Sequence, residues 1–129
     1  MAIREEVFVR EQQVPPELEK DAEDDSAIHF LALVNGQAVG AARLVVHGDE
    51  GKVGRMSVLS PFRGRGIGSA LLRKVEAAAR EQGLVRLRLH AQDHALKFYQ
   101  RLGYQVTGEA FLEAGIVHFP VEKLLQGRD

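Results

Sequence analysis

Two spacings of apolar residues alternate along the chain. Ala27 to Val34 reads Ala-Ile-His-Phe-Leu-Ala-Leu-Val, a nearly continuous apolar run that suits a central strand. Asn35-Gly36 is a two-residue turn signal, and Ala38 to Val46 reads as the returning strand of a hairpin. A turn over His47 to Gly51 leads to a third strand, Lys52 to Val58. The period then becomes helical. Ile67, Leu71, Val75 and Ala78/Ala79 share one face from Ile67 to Gln82, while Arg73, Lys74, Arg80 and Glu81 fall elsewhere. Gly83 is placed to end this helix in the left-handed conformation. Val85 to Ala91 alternates, with Val85, Leu87 and Leu89 against Arg86, Arg88 and His90. A short helix from about Asp93 to Leu102 stops at Gly103, and Tyr104 to Glu109 and Ile116 to Leu124 are the last strands. Pro120, inside the final strand, predicts an edge or a bulge there.

Ahead of the strands, residues 2 to 12 read as a helix, with Ile3, Val7 and Val9 among Arg4, Glu5, Glu6, Arg10 and Glu11. Pro15-Pro16 stops it. Glu17 to Asp25 holds six acids and only Lys20, the composition of a solvated loop. The order predicts an α/β fold: a mixed sheet, antiparallel at first, with a parallel crossover in the middle. The 129 residues fit one domain, 1–129. A net charge of -1 gives no general attraction to nucleic acid or acidic membranes. The absence of cysteine removes disulfides, thiolate metal sites and a cysteine nucleophile. The five histidines lack a recognised ligand spacing, so no metal is expected. No apolar run has the length of a membrane span, and a soluble, cytoplasmic protein is expected.

Chemistry concentrates at Arg63-Gly64-Arg65-Gly66-Ile67-Gly68, between a strand and an amphipathic helix. Glycines let backbone approach an anion closely, and the first N–H groups of the helix favour negative charge. Arg63 and Arg65 add full charges, so a phosphate or pyrophosphate is the natural guest. The dinucleotide fingerprint fails: its last glycine falls on Ser69 counting from Gly64, and on Leu71 counting from Gly66. No Gly-Lys-Ser/Thr exists for a nucleotide P-loop, and kinase signatures are absent. What remains is Arg-x-x-Gly-x-Gly opening a long helix after a strand.

That pattern resembles motif A of the GNAT acetyltransferases, whose turn cradles the pyrophosphate of coenzyme A. A second stretch, Gln92-Asp93-His94-Ala95-Leu96-Lys97-Phe98-Tyr99-Gln100-Arg101-Leu102-Gly103-Tyr104, is similar to the family's Asn-x-x-Ala-x-x-x-Tyr-x-x-x-Gly-Phe. Gln92 stands where Asn is common and Tyr104 where Phe is common. Val7 to Pro15, Asp21 to His29, Leu89 to Gln92 and Ala114 to His118 resemble the ElaA-like subgroup. The resemblance implies a GNAT-type sheet with helices on both faces, lacking the usual first strand because Met1 falls almost at the first helix. It implies acetyl-CoA as co-substrate, held by Met56, Ser57, Val58, Arg63, Gly64, Arg65, Gly66, Ile67, Gly68, Ser69, Gln92, Ala95, Phe98 and Tyr99. In the family the strand matching Gly54 to Val58 splays from the next one and pairs with pantetheine through Met56 and Val58. The Val58 N–H would polarise the thioester carbonyl. Tyr99 matches a tyrosine that protonates the departing thiolate.

The implied reaction is direct transfer of acetyl to an amine in a ternary complex. An ammonium must first lose its proton, and His29, His90, His118, Glu109 and Glu113 are the candidate bases. His90 and His118 sit in late strands that could line the acceptor side, and each could also be a structural side chain. Glu11-Gln12 could face the acceptor, by resemblance to the subgroup. The acidic stretch could attract a cationic amine or simply be solvated. A non-catalytic acyl-CoA-binding or sensing domain is the alternative reading; a nucleotide-binding domain is disfavoured by both failed fingerprints. The acceptor could be a small molecule or a peptide, and a homodimer is open.

Overall fold

The computed structural model describes residues 7–12, 27–64 and 66–125. Strands β1 (Val7–Gln12), β2 (Ala27–Val34), β3 (Gln37–His47) and β4 (Glu50–Val58) form an antiparallel meander. Helix α1 (Ile67–Glu81) crosses to β5 (Arg86–Gln92), which lies parallel to β4. A 3-10 turn at Asp93–Ala95 runs into α2 (Leu96–Arg101). Then come β6 (Gln105–Val106), β7 (Phe111–Glu113) and β8 (Ile116–Leu124). Among the described residues the sheet has eight strands, in the order β1-β2-β3-β4-β5-β8-β6, with β7 also on β8.

The mixed sheet and its crossover are as the apolar pattern predicts, and the Asn35-Gly36 turn has positive φ at both residues, 52° and 84°. The N-terminal helix is not found over Val7–Gln12, which pairs with β2 from Val7↔Val34 to Gln12↔His29. Val7 and Val9 are two residues apart, the period of a strand, and Val-Phe-Val is β-branched and aromatic. A strand therefore occupies this edge of the sheet, where the resemblance implied one fewer. Residues 2–6, Pro15-Pro16 and the acidic stretch 17–25 lie outside the described residues.

The C-terminal part also differs in detail. Only Gln105–Val106 of the expected Tyr104–Glu109 strand pairs with β8. Phe111–Glu113 forms an unforeseen hairpin with β8 across Ala114-Gly115, whose φ values are 54° and 78°. Pro120 lies inside the sheet, opposite His90 of β5, rather than at its edge. Its carbonyl accepts from the Thr107 N–H at 2.9 Å, so its nitrogen also faces away from β5. It falls in the gap between β6 and β7, where a missing N–H breaks no pairing.

One face of the sheet is apolar. Phe30, Leu44 and Leu87 bury against Ile67, Leu71, Leu72 and Val75 of α1, and α2 joins the same cluster through Tyr99. On β5, Leu87, Leu89 and Ala91 point into this core, while Arg86, Arg88 and His90 point to the other face. No helix among the described residues is long and apolar enough to cross a membrane.

Two irregularities open the sheet. Between Arg43↔Gly54 and Ala41↔Ser57, β4 advances one residue further than β3, a bulge that bends the strand. On its other side β4 pairs with β5 only over Glu50↔Arg86, Gly51↔Leu87 and Lys52↔Arg88. Beyond Lys52 the two strands part, leaving Val53 to Val58 and Leu89 to Gln92 facing a gap.

Candidate active site

The gap opens into two connected cavities. One, of about 460 Å³, runs beneath the start of α1. The other, of about 560 Å³, opens between the parted strands and the β7–β8 hairpin. Met56, Ser57, Val58, Arg63, Ala95 and Tyr99 line both. The two are therefore arms of one cleft.

The first arm is built for an anion. Gly64 and Gly66 hold φ of +79° and +80°, and a Cβ at either would meet nothing within 4 Å. Gly66 caps α1 in the left-handed conformation, with no side-chain cap bond and no acid in the first turn. The first helical bond runs from the Ala70 N–H to the Gly66 carbonyl at 3.0 Å. The N–H groups of Ile67, Gly68 and Ser69 thus have no partner in the helix ladder, the usual state of a helix start that receives a phosphate. Gly68 packs closely: a Cβ there would stand 3.3 Å from Phe98. Gly64, Gly66, Gly68, Ser69 and Phe98 line this arm. Ile67 contributes backbone alone, because its side chain is 1% exposed and belongs to the core. Arg65 lies outside the described residues. Arg63 donates from Nε to the Val58 carbonyl at 3.0 Å, which ties the glycine turn to the end of β4.

Tyr99 stands where the arms meet. Its ring packs edge-on against Phe98 at 5.0 Å and Tyr104 at 5.9 Å. Burial pushes its phenol above the ordinary value, so it carries its proton throughout the neutral range.

The second arm gathers titratable side chains from separate strands. His118 is buried and its Nδ1 lies 2.8 Å from the Ile116 carbonyl, a hydrogen bond that requires the proton on Nδ1 and turns Nε2 toward Glu113 at 3.8 Å. His90 Nδ1 is 3.4 Å from the same Glu113 oxygen. Phe111 keeps the two rings apart, edge-on to His90 at 4.8 Å and stacked on His118 at 5.9 Å. Gln92 lines this arm rather than the first, and its Oε1 is 2.6 Å from His94 Nε2.

The site brings together His90, His118 and Glu113 of the candidate bases, but not His29 or Glu109. His29 lies on β2 in register with Arg43, and Glu109 is exposed between β6 and β7; neither lines the cleft. Glu11 and Gln12 sit on β1, Gln12 in register with His29. Arg43, Lys52 and His94 also line the second arm and were not singled out in the sequence. The signal for Arg43 was present, as a lone charge within Ala41-Ala42-Arg43-Leu44-Val45-Val46.

A family profile described as "Acetyltransferase (GNAT) domain" matches residues 2–125. The chain belongs to the GNAT acetyltransferases. It is 38% identical over 122 residues to a Bacillus subtilis (strain 168) protein named "Uncharacterized N-acetyltransferase YjcF", covering 94% of this chain and 87% of that protein. Escherichia coli ElaA superposes with a TM-score of 0.72 at 26% identity, over 84% of this chain and 77% of that one. A GNAT family acetyltransferase from Elizabethkingia anophelis, solved with acetyl-CoA bound, shares the fold with a TM-score of 0.75 at 19% identity, over 92% and 98% of the two chains. The chain is therefore an acetyl-CoA-dependent GNAT acyltransferase, and the first arm of its cleft is a glycine-lined helix start leading to a strand edge open along β4.

Proposed function

We propose that the protein transfers acetyl from acetyl-CoA directly to a primary amine, the first arm holding the donor and the second the acceptor. The observation that carries this reading is the single cleft with Tyr99 at its waist. The pyrophosphate would sit on the N–H groups of Ile67, Gly68 and Ser69, with Arg63 beside them, and pantetheine would follow β4 from Val58 toward Met56. Bringing the thioester to Tyr99 faces its carbonyl carbon toward the second arm. The Val58 carbonyl is already engaged by Arg63, so pantetheine either shares that acceptor or pairs through neighbouring backbone groups.

The amine arrives as an ammonium, whose ordinary pKa is near ~10.4, and needs a base. Glu113 attracts the cation, and the His118 nitrogen facing Glu113, or His90 beside it, takes the proton. The neutral nitrogen forms its bond to the thioester carbon and gives up its second proton to water, the C–S bond breaks, and the Tyr99 hydroxyl protonates the departing sulfur. Tyr99 is then reprotonated from water. Attack is direct, and no cysteine is available to carry an acetyl group between two half-reactions.

The test follows free thiol release from acetyl-CoA with a panel of amines. Turnover on at least one amine, lost in Tyr99→Phe while CoA still binds, supports the assignment. Tight CoA binding without turnover on any amine would instead mark a sensing domain.

A further inference from the structure

We propose that His118 is the base for the acceptor amine, and that His90 and Phe111 are positioning residues, the first holding Glu113 and the second the His118 ring. The proposal rests on the acetyl-transfer reading above, which admits either histidine as the base.

The two rings differ in what each nitrogen faces. A carbonyl oxygen only accepts, so the 2.8 Å contact with Ile116 puts a proton on His118 Nδ1. Neutral His118 therefore carries its bare lone pair on Nε2, which faces Glu113 Oε1 at 3.8 Å. In that state neither atom has a hydrogen for the other. Two acceptors this close repel unless a donor lies on both. One amine nitrogen, at the ordinary hydrogen-bond length of about 2.8–2.9 Å from each, completes the triangle. The Glu113 charge draws the ammonium in, and Nε2 is the bare base beside it. Once Nε2 has taken the proton, both N–H groups of the imidazolium face an acceptor, the Ile116 carbonyl and the Glu113 carboxylate.

His90 meets the same oxygen in another way. Its Nδ1 is 3.4 Å from Glu113 Oε1, and an ionised carboxylate only accepts, so Nδ1 is the donor there. That contact anchors the carboxylate oxygen that His118 faces. The His90 side chain is 39% exposed, and among the described residues no backbone group fixes its ring. His118 is buried and fixed at Nδ1, so it takes a charge with less rearrangement of solvent. Phe111 sets the second ring. It is in register with His118 and stacks on it with the planes 22° apart, while meeting His90 edge-on. β7 thus supplies both the stacking ring and the carboxylate, two residues apart on one face.

Asparagine separates the roles in the full chain, because its amide N–H stands in for the imidazole Nδ1–H and brings no base. His118→Asn keeps a donor for Ile116 and should lower kcat/KM for an alkylamine by about 10–100-fold near neutrality. For a hydrazide or an aryl amine, already neutral there, the loss should shrink to about threefold. His90→Asn keeps a donor for Glu113 and should lose about threefold, whereas His90→Leu removes it and should lose about tenfold or more. Phe111→Leu should lose about 2–10-fold, the worth of one aromatic pair, and Phe111→Tyr, which keeps the stack, should lose less. One readout needs no variant. Nitrogen-15 spectra of the histidine-labelled wild-type protein, taken well above the ordinary imidazole pKa of about 6.5, should show His118 protonated on Nδ1. His118 protonated on Nε2, a His118→Asn loss equal for alkylamine and hydrazide, or a larger loss in His90→Asn than in His118→Asn would each overturn the proposal while leaving acetyl transfer intact. No thiol release by the wild-type protein with any amine would sink the acetyl-transfer reading, and this assignment with it.

Discussion

At the scale of single residues the proposed mechanism gives the cleft two proton tasks. The proposed role of Tyr99 is to give a proton, and its raised pKa fits that task because the hydroxyl stays protonated at working pH. Replacing it with Phe keeps the ring contacts to Phe98 and Tyr104 and removes only the acid. Tyr99→Phe should therefore lower kcat by about 100-fold, within the usual span for a positioned acid, with CoA affinity changed less than about threefold. Steady-state thiol release and CoA titration check both numbers, and a variant with normal kcat would remove Tyr99 from the mechanism. In the proposed mechanism the cluster of His90, His118 and Glu113 takes a proton. Glu113→Gln, or both histidines changed to Gln, should lower kcat/KM by about 10–100-fold near neutrality. The deficit should shrink as pH approaches the amine's own value of about 10.4, because the acceptor then needs no base. A deficit constant with pH would mean these groups position the amine without deprotonating it.

At the scale of elements, α1 carries the proposed pyrophosphate site at one end and a stabilising clamp in its middle. At its start, Gly66→Asp forces a side chain onto a φ of +80° and puts a negative charge where the pyrophosphate would sit. Open space around the Cβ keeps the structural cost to about 1–2 kcal/mol, while CoA affinity should fall by about 100-fold or more. Gly68→Asp gives a less clean readout, since its Cβ also presses on Phe98 at 3.3 Å. In the middle of α1, Glu76 is 6% exposed on an otherwise apolar face. Tyr104 donates to it at 2.8 Å, and Lys123 of β8 reaches both its oxygens at 3.2 Å. This clamp fastens α1 to the last strand. Glu76→Ala leaves a hydroxyl and an ammonium without their partner, and should cost about 2–4 kcal/mol in urea unfolding, at the lower part of the range because Lys123 keeps 24% of its side chain in solvent. Burial and the Glu76 charge raise the Tyr104 pKa above its ordinary 10.0. A raised folded-state value means the contribution is complete below the unfolded value, and is lost as pH rises above about 10. Tyr104→Phe should flatten the fall of the urea midpoint between about pH 10 and 11.5 relative to wild type.

At the scale of the whole molecule, most of the sheet and the glycine turn that opens α1 were legible in the sequence because their signals are local. The apolar run of β2, the Asn35-Gly36 turn, the period of α1 and the glycine cap at Gly66 each depend on residues next to one another. The second arm was not, because it is assembled by register. Glu113 meets His90 and His118 only once β7 folds onto β8, and Arg43 enters the cleft only because it pairs with Gly54. Val7–Gln12 carries both a strand period at Val7 and Val9 and charges that suit a helix, and pairing with the edge of β2 decides between them. The same long-range pairing gives the molecule a weak seam. The meander and the β5–β8 half are joined in the sheet by only three β4–β5 pairs, with α1 bridging them. A ligand lying in the parted region would replace the missing ladder and hold the halves together. CoA at about 100 times its Kd should then add roughly 2.7 kcal/mol, or about 10 °C in Tm for a domain of this size. Hydrogen exchange locates the effect. Protection should rise most at Val53 to Val58, Leu89 to Gln92 and the start of α1, and least in the β2–β3 hairpin. A rise confined to the start of α1 would leave the phosphate cradle in place and show that pantetheine does not occupy the gap between β4 and β5.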